Sequence, residues 1–161
     1  MNTEIERKFL VIREEWDKIT TKPIPLAIRQ GYLSVDPLKT VRVRTTNNEA
    51  ELCIKIKIHP VGCLEFEYDI PYEDAELLLD ASIGSLVKSR YEFLYKNRLW
   101  EVDEFYDLNT GLLMAEIEYR SQQDYEQNYN VELPPWIGEE VTDDKRYTNA
   151  NLVVNPYNNW K

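Results

Sequence analysis

The sequence predicts an α+β fold that is mainly β: a barrel or sandwich of antiparallel strands with flanking helices. Two observations predict it. Short candidate strands follow one another at even spacing with tight turns between them, the habit of antiparallel barrels and sandwiches and not of a parallel sheet. Along nearly the whole chain, charged residues recur two apart: Glu4, Glu6 and Lys8, then Arg42 and Arg44, Lys55 and Lys57, Glu65 and Glu67, Lys88 and Arg90, Glu101 and Asp103, Glu116 and Glu118. Alternate side chains of a strand point to opposite faces, so one face of the sheet carries mixed charge and the other is apolar. Such a face suggests a binding surface or the lumen of a barrel.

The elements follow in order. Residues 4–12 read as the first strand and 13–19 as a short helix. Strands over 28–35 and 40–46 come next, and Asn47-Asn48 turns the chain into a strand over 50–58. Residues 59–62, with Pro60 and Gly62, turn it again into 63–70, making a hairpin. A helix is predicted over 72–86: Pro71 precedes it, Glu73 and Asp74 suit its positive N-terminal end, and Leu78, Leu79 and Ile83 share a face. Strands over 91–96 and 98–106 are joined by Asn97, and Asn109-Thr110-Gly111 leads into a strand over 112–120. Ser121-Gln122-Gln123-Asp124 resembles a capping box opening a helix to about Tyr129. Pro134-Pro135 stops any helix, and the Asn-rich stretch after Asn149 reads as a polar, partly helical terminus.

Composition bounds the function. A chain of 161 residues is expected to be one domain, residues 1–161, with a substantial core. Eleven Tyr and four Trp against five Gly describe a folded chain. No run approaches the roughly 18 apolar residues of a membrane span, and no secretory signal opens the chain, so a cytoplasmic protein without membrane contact is expected. The net charge of −10 argues against nucleic acid as a partner. An anion bound here would need locally concentrated bases, with metal helping. Cys53 and Cys63 lie in adjacent strands without a CxxC spacing and read as free thiols. His59, the single histidine, reads as a solvated turn residue beside Pro60.

A barrel with a charged interior is inside-out. Ile5, Val43, Ile54, Ile56, Phe66, Val102 and Ile117 then point outward and need cover from the helices or from a second copy in a homodimer. Burying each contributes about 1.5–3 kcal/mol toward the cost of assembling the lumen. The lumen itself must be wet, with opposite charges interleaved.

The run Glu4-Ile5-Glu6-Arg7-Lys8 resembles the ExExK signature of the CYTH superfamily, the triphosphate tunnel metalloenzymes. Later stations of that family occur in order: Gln30-Gly31-Tyr32-Leu33, Val41-Arg42-Val43-Arg44, and Leu52-Cys53-Ile54-Lys55, with Cys53 where Thr is more usual. Glu65-Phe66-Glu67-Tyr68, Lys88-Ser89-Arg90-Tyr91, Trp100-Glu101-Val102-Asp103 and Ala115-Glu116-Ile117-Glu118 follow, then a closing stretch from Glu140 to Tyr147. The resemblance implies a closed eight-stranded antiparallel tunnel that binds a triphosphate with a divalent metal.

The residue chemistry points the same way. Arg42, Arg44 and Arg90 offer planar donor forks to phosphate, and Lys8, Lys55 and Lys88 offer point charges. Carboxylates suit Mg²⁺ or Mn²⁺: Glu4, Glu6, Glu116 and Glu118 are expected to hold the principal metal. Asp103, Glu65 and Glu67 either hold a second metal or orient the bases. The resemblance implies that Lys88 activates the attacking water, helped toward its neutral form by Arg90; Glu67 is the competing base. Tyr32 is expected to bring its hydroxyl to Lys88 or to phosphate. Lys57 reads as a rim residue, Arg7 as a structural partner of an acidic neighbour, Asp144 as a residue that orients a base or caps the last segment, and Trp136 and Trp160 as packing residues.

The expected reaction is metal-dependent hydrolysis of inorganic tripolyphosphate to pyrophosphate and phosphate, because a short chain with sparse loops leaves little protein to recognise an organic group. A nucleoside or thiamine triphosphatase, a class IV adenylyl cyclase, or a noncatalytic module binding polyphosphate or an organic phosphate would use the same interior.

Overall fold

The computed structural model describes residues 5–57 and 63–161, so Glu4 and His59 lie outside the described residues. Nine strands form one antiparallel sheet: β1 (Ile5–Val11), β2 (Leu26–Asp36), β3 (Lys39–Thr46), β4 (Glu49–Lys57), β5 (Cys63–Asp69), β6 (Ser85–Tyr95), β7 (Arg98–Phe105), β8 (Leu113–Tyr119) and β9 (Ile137–Glu140). Their order is β5-β4-β3-β2-β6-β7-β8-β1-β9. The expected closed eight-stranded barrel is therefore corrected to a nine-stranded open sheet: among the described residues no ladder joins β5 to β9. The sheet nonetheless rolls. Lys8 on β1 and Lys55 on β4 both act electrostatically on the Tyr32 hydroxyl of β2. In a flat sheet with strands about 4.8 Å apart, β1 would be some four strands from β2 and out of reach.

Helices α1 (Arg13–Asp17), α2 (Tyr72–Asp80), α3 (Gln122–Asn128) and α4 (Asn149–Val154) flank the sheet. Ser121 caps α3, its hydroxyl accepting from the Asp124 amide at 3.1 Å. The α2 helix stops at Asp80, six residues short of the expected end. The Ser82 hydroxyl donates to the Leu79 carbonyl at 2.7 Å, a local bond that competes with another helical turn. The Ile83 amide then bonds Tyr32 O at 2.9 Å, and the chain enters β6 at Ser85. Gly31 makes this approach feasible: a Cβ there would lie 2.8 Å from Ser82 Oγ.

The outer face is covered unevenly. Phe9, Trp16, Trp100, Val102, Ile117, Tyr119 and Trp136 form one buried cluster. Val43 and Ala50 pack under Ala75 and Leu79 of α2. On β5 the outward Leu64, Phe66 and Tyr68 stay exposed, so the helices do not supply all the cover the sequence calls for. On the charged face a third cluster closes one end. Leu86, Phe105 and Met114, each two positions along from a charged residue, pack with Leu10 against Val141, Tyr147 and Leu152 of the C-terminal segment. No helix among the described residues is long and apolar enough to cross a membrane.

Candidate functional site

Register carries one charged band across the sheet. Glu6 and Lys8 stand opposite Glu118 and Glu116, and Glu116 stands opposite Glu101. Asp103 faces Arg90, and Lys88 faces Ile28 of β2. Tyr32 and Gln30 face Arg42 and Arg44, which in turn face Cys53 and Glu51. Cys53 and Lys55 then face Glu67 and Glu65. Because side chains opposite one another share a face, the alternation visible in single strands becomes a continuous surface.

The most buried part of the band is a three-residue ionic cluster. Lys88 Nζ lies 2.6 Å from Asp103 Oδ2, while Arg90 grips the same carboxylate through Nε at 2.7 Å and Nη2 at 2.8 Å. Burial alone would raise the Asp103 carboxyl, but Lys88 and Arg90 together hold it well below the usual carboxylate range. Burial is also the largest influence on Lys88; it lowers the ammonium to about 8, with Asp103 opposing and Arg90 assisting. Asp103 spends both oxygens on these bases, an arrangement that suits orienting them and leaves little for a metal.

The cations beyond this cluster differ in their partners. Arg42 reaches Glu51 at 3.1 Å and Glu67 at 3.8 Å, and its Nε is buried without a hydrogen bond. Lys55 pairs with Glu65 at 3.1 Å. Arg44 donates to Gln30 Oε1 at 3.2 Å and has no carboxylate partner among the described residues. Burial, then Arg42 and Arg90, push its guanidinium below the ordinary value. Gln30, fully buried, passes a second bond on to the Tyr32 hydroxyl at 3.3 Å. Tyr32 thus meets Gln30, while Lys88 is engaged by Asp103. Burial raises the Tyr32 phenol, and Arg42 and Arg44 oppose it.

Acids gather at the open end. Glu6, Glu101, Glu116 and Glu118 line a cavity of about 430 Å³ together with Leu94, Leu99, Arg98 and Arg120. Lys8 Nζ sits 3.0 Å from Glu6 and 3.6 Å from Glu116 Oε1, and these two carboxylates raise its ammonium above the ordinary value despite burial. Glu116 Oε1 is buried and makes no hydrogen bond. A buried carboxylate oxygen without a donor, beside two further carboxylates, fits a hard divalent cation. Glu4 lies outside the described residues. Glu65 and Glu67 converge with Cys53, their ligand atoms all within 4.8 Å. The thiol there is a donor and not a ligand: Cys53 Sγ donates to Glu65 Oε1 at 3.3 Å, and burial pushes it up to about 12. Cys53 is a free thiol, and the register opposes it to Glu67, with Cys63 opposite Lys57.

Sequence reasoning left Glu51, Gln30 and Glu101 without roles. Glu101 pairs with Arg90 at 2.5 Å, and Glu51 extends the alternation of Cys53 and Lys55 by one more station. That extension was the available signal. Arg7 points to the outer face and binds Glu140 through both oxygens, at 2.9 and 2.8 Å. Asp144 binds Arg146 and caps the short turn that follows. Trp136 and Trp160 each pack edge-on against aromatic rings.

A family model described as CYTH domain matches residues 2–147. The chain belongs to the CYTH family. This CYTH chain is 40% identical to a protein named inorganic triphosphatase from Acetivibrio thermocellus, across 100% of the chain and 99% of the relative. It is 36% identical to an inorganic triphosphatase from Nitrosomonas europaea, across 94% and 97% of the two. A crystal structure of an inorganic triphosphatase superposes with a TM-score of 0.68 at 33% identity, covering 96% of both chains. A putative adenylate cyclase from Bacillus halodurans superposes at 0.60 with 22% identity, over 83% and 93% of the chains, a likeness of fold.

Proposed function

We propose that this CYTH chain hydrolyses inorganic tripolyphosphate to pyrophosphate and phosphate with the help of Mg²⁺ or Mn²⁺. The observation that carries the reading is Arg44: a largely buried guanidinium, crowded by Arg42 and Arg90, with no carboxylate in direct ion-pair contact among the described residues and only Glu51 and Asp103 partly offsetting it. Such a charge is expensive without an anion. The relatives named inorganic triphosphatase, aligned over nearly the full chain, supply the substrate class.

Arg42, Arg44, Lys8 and Lys55 bind the phosphate chain by charge-assisted hydrogen bonds. Glu6, Glu116 and Glu118 would hold the divalent cation with Glu4, and Glu65 and Glu67 offer a second position. Bound there, the cation neutralises charge developing on phosphoryl oxygens. Water attacks the terminal phosphorus while the P–O bond to the bridging oxygen breaks, and Lys88, once neutral, takes the proton from the water. Asp103 and Arg90 hold Lys88 in place for this. Glu67 is the alternative base. The protein works as a single-domain cytoplasmic enzyme.

A phosphate-release assay on tripolyphosphate, long polyphosphate, pyrophosphate and ATP, each with Mg²⁺ and with Mn²⁺, tests the reading. Tripolyphosphate is expected to be cleaved fastest, with equimolar pyrophosphate formed. Preference for ATP would instead support an organic triphosphate, a second reading favoured by Leu94 and Leu99, a cross-strand apolar pair beside the acidic cavity. No cleavage of any of the four would overturn both.

A further inference from the structure

β1 is paired on one side by β8 along its length and on the other by the short β9, where the register shifts between Phe9 and Val11. Lys8 is nevertheless held at both backbone groups on the β9 side. Its carbonyl accepts from the Val141 amide at 2.8 Å, and its N–H donates to Thr142 Oγ1 at 3.1 Å. A side-chain hydroxyl stands where a ladder would place a carbonyl.

That hydroxyl is not free to turn. It donates its own proton to Glu140 Oε1 at 2.8 Å, which leaves a lone pair for the Lys8 amide. Glu140 is fixed in turn by the Nε and Nη2 groups of Arg7. Arg7 spends its remaining arm on the Tyr129 carbonyl at 2.8 Å, and its guanidinium lies over the rings of Tyr129 and Phe9, 4.3 and 4.9 Å from their centroids. The chain of bonds therefore runs from a buried arginine on the outer face, through a carboxylate and a hydroxyl, to one peptide group of β1.

The consequence reaches the charged face. Because the Lys8 N–H and C=O turn toward β9, Lys8 and Glu116 form the pair class in which no hydrogen bonds are exchanged and side chains stand closer. The Lys8 ammonium bridges Glu6 and Glu116 from that position. We infer that Thr142, oriented by Glu140, is a positioning residue: it fixes the Lys8 peptide and through it the ammonium that arranges Glu6 and Glu116 for metal and phosphate. The functional part of this inference rests on the proposed tripolyphosphate reading; the positioning part does not.

Thr142→Val keeps the shape and removes both bonds, Thr142→Ser restores the hydroxyl, and Glu140→Gln keeps the hydroxyl while weakening its acceptor and the Arg7 pair that fixes it. Each is read three ways: hydrogen exchange at the Lys8 amide, calorimetric binding of tripolyphosphate in EDTA, and KM and kcat with Mg²⁺. Thr142→Val is expected to lose Lys8 amide protection, to weaken tripolyphosphate binding by roughly tenfold (the loss of one hydrogen bond), and to raise KM in step while kcat changes less. Thr142→Ser should return all three toward the parent values, with Glu140→Gln falling between. Unchanged binding and KM in Thr142→Val, or equal losses in the Ser variant, would overturn the inference. If Thr142→Val does not fold, Glu140→Gln decides, and parental exchange and KM in it would overturn the inference. Failure of the parent chain to bind or cleave tripolyphosphate would overturn the substrate reading, while amide exchange still judges the positioning role.

Discussion

Lys88 and Asp103 form an ion pair at 2.6 Å in which neither side chain reaches solvent, and Arg90 closes it on the carboxylate side. The pair places an amine of lowered basicity among the cations of the charged band, anchored by a carboxylate that stays ionised.

If Lys88 takes the proton from water, kcat should rise with pH through an apparent value near the amine's own, about 8, and then level. Lys88→Arg keeps a cation that cannot deprotonate at ordinary pH. Its kcat should fall by roughly a hundredfold or more, with the alkaline rise gone and tripolyphosphate still bound. A variant with parental kcat and an unchanged pH profile would move the base to Glu67.

Asp103→Asn takes the ion-pair partner from buried Lys88 and leaves Arg90 with Glu101 and Glu116 alone, and it should destabilise the fold by about 3–5 kcal/mol in urea titrations. Asp103 raises the Lys88 amine, so in any variant that stays folded the alkaline rise should move to lower pH. The carboxyl is depressed below its ordinary 3.8, so its stabilising effect is present above about pH 4 and is lost as pH falls through the folded value. Asp103→Asn should accordingly lose part of the parent's acid sensitivity below pH 4. Identical acid profiles would sink this assignment.

Arg44 and Arg42 should separate by their partners. Removal of either charged donor is expected to raise KM by roughly tenfold to a hundredfold. Arg44→Met should do more, since Arg42 is already engaged by Glu51, and it should also raise the melting temperature by relieving a buried charge that has no direct ion-pair partner among the described residues. A Met variant that is both less stable and kinetically normal would contradict the anion-site reading.

Glu116→Gln keeps the side chain's size and removes charge from an oxygen that lacks a hydrogen-bond partner. The Mg²⁺ concentration for half-maximal rate should rise by roughly tenfold or more, and excess EDTA should abolish turnover of the parent. Full activity in EDTA would remove the metal from the scheme.

Much of the site was legible because a period of two is a strong signal: Arg42 and Arg44, or Glu116 and Glu118, fall on one face in any strand that contains them. The Ser121 cap was legible for the same local reason. Lys88 was harder to place, since the apolar positions of α2 run on through Ile83 and Leu86; what ends the helix is one hydroxyl bond from Ser82 and the pairing of Ile83 with Tyr32. β9 is four residues long and follows two prolines, too short to show a pattern. The closed eight-stranded form was read from family resemblance, and among the described residues no ladder links the edges β5 and β9. Thr142 falls in the closing stretch that resembles the family, but nothing in the sequence marks its role, because its contact with Lys8 is with a peptide group and not with a side chain.

The four tryptophans divide unequally between the ends of the molecule. Trp16, Trp100 and Trp136 lie behind the charged band, with Trp136 centred 5.3 Å from Trp16 and 5.9 Å from Trp100, while Trp160 stacks edge-on against Tyr147 at the apolar end. Indoles this close couple excitonically, so the near-ultraviolet dichroism of the protein should be dominated by the wall that carries Glu101 and Asp103. Tryptophan fluorescence from a chain with the three clustered indoles replaced by phenylalanine would come from Trp160 alone. The fold thus contains two separable optical reporters, one for the wall of the site and one for its closed end, without any added label.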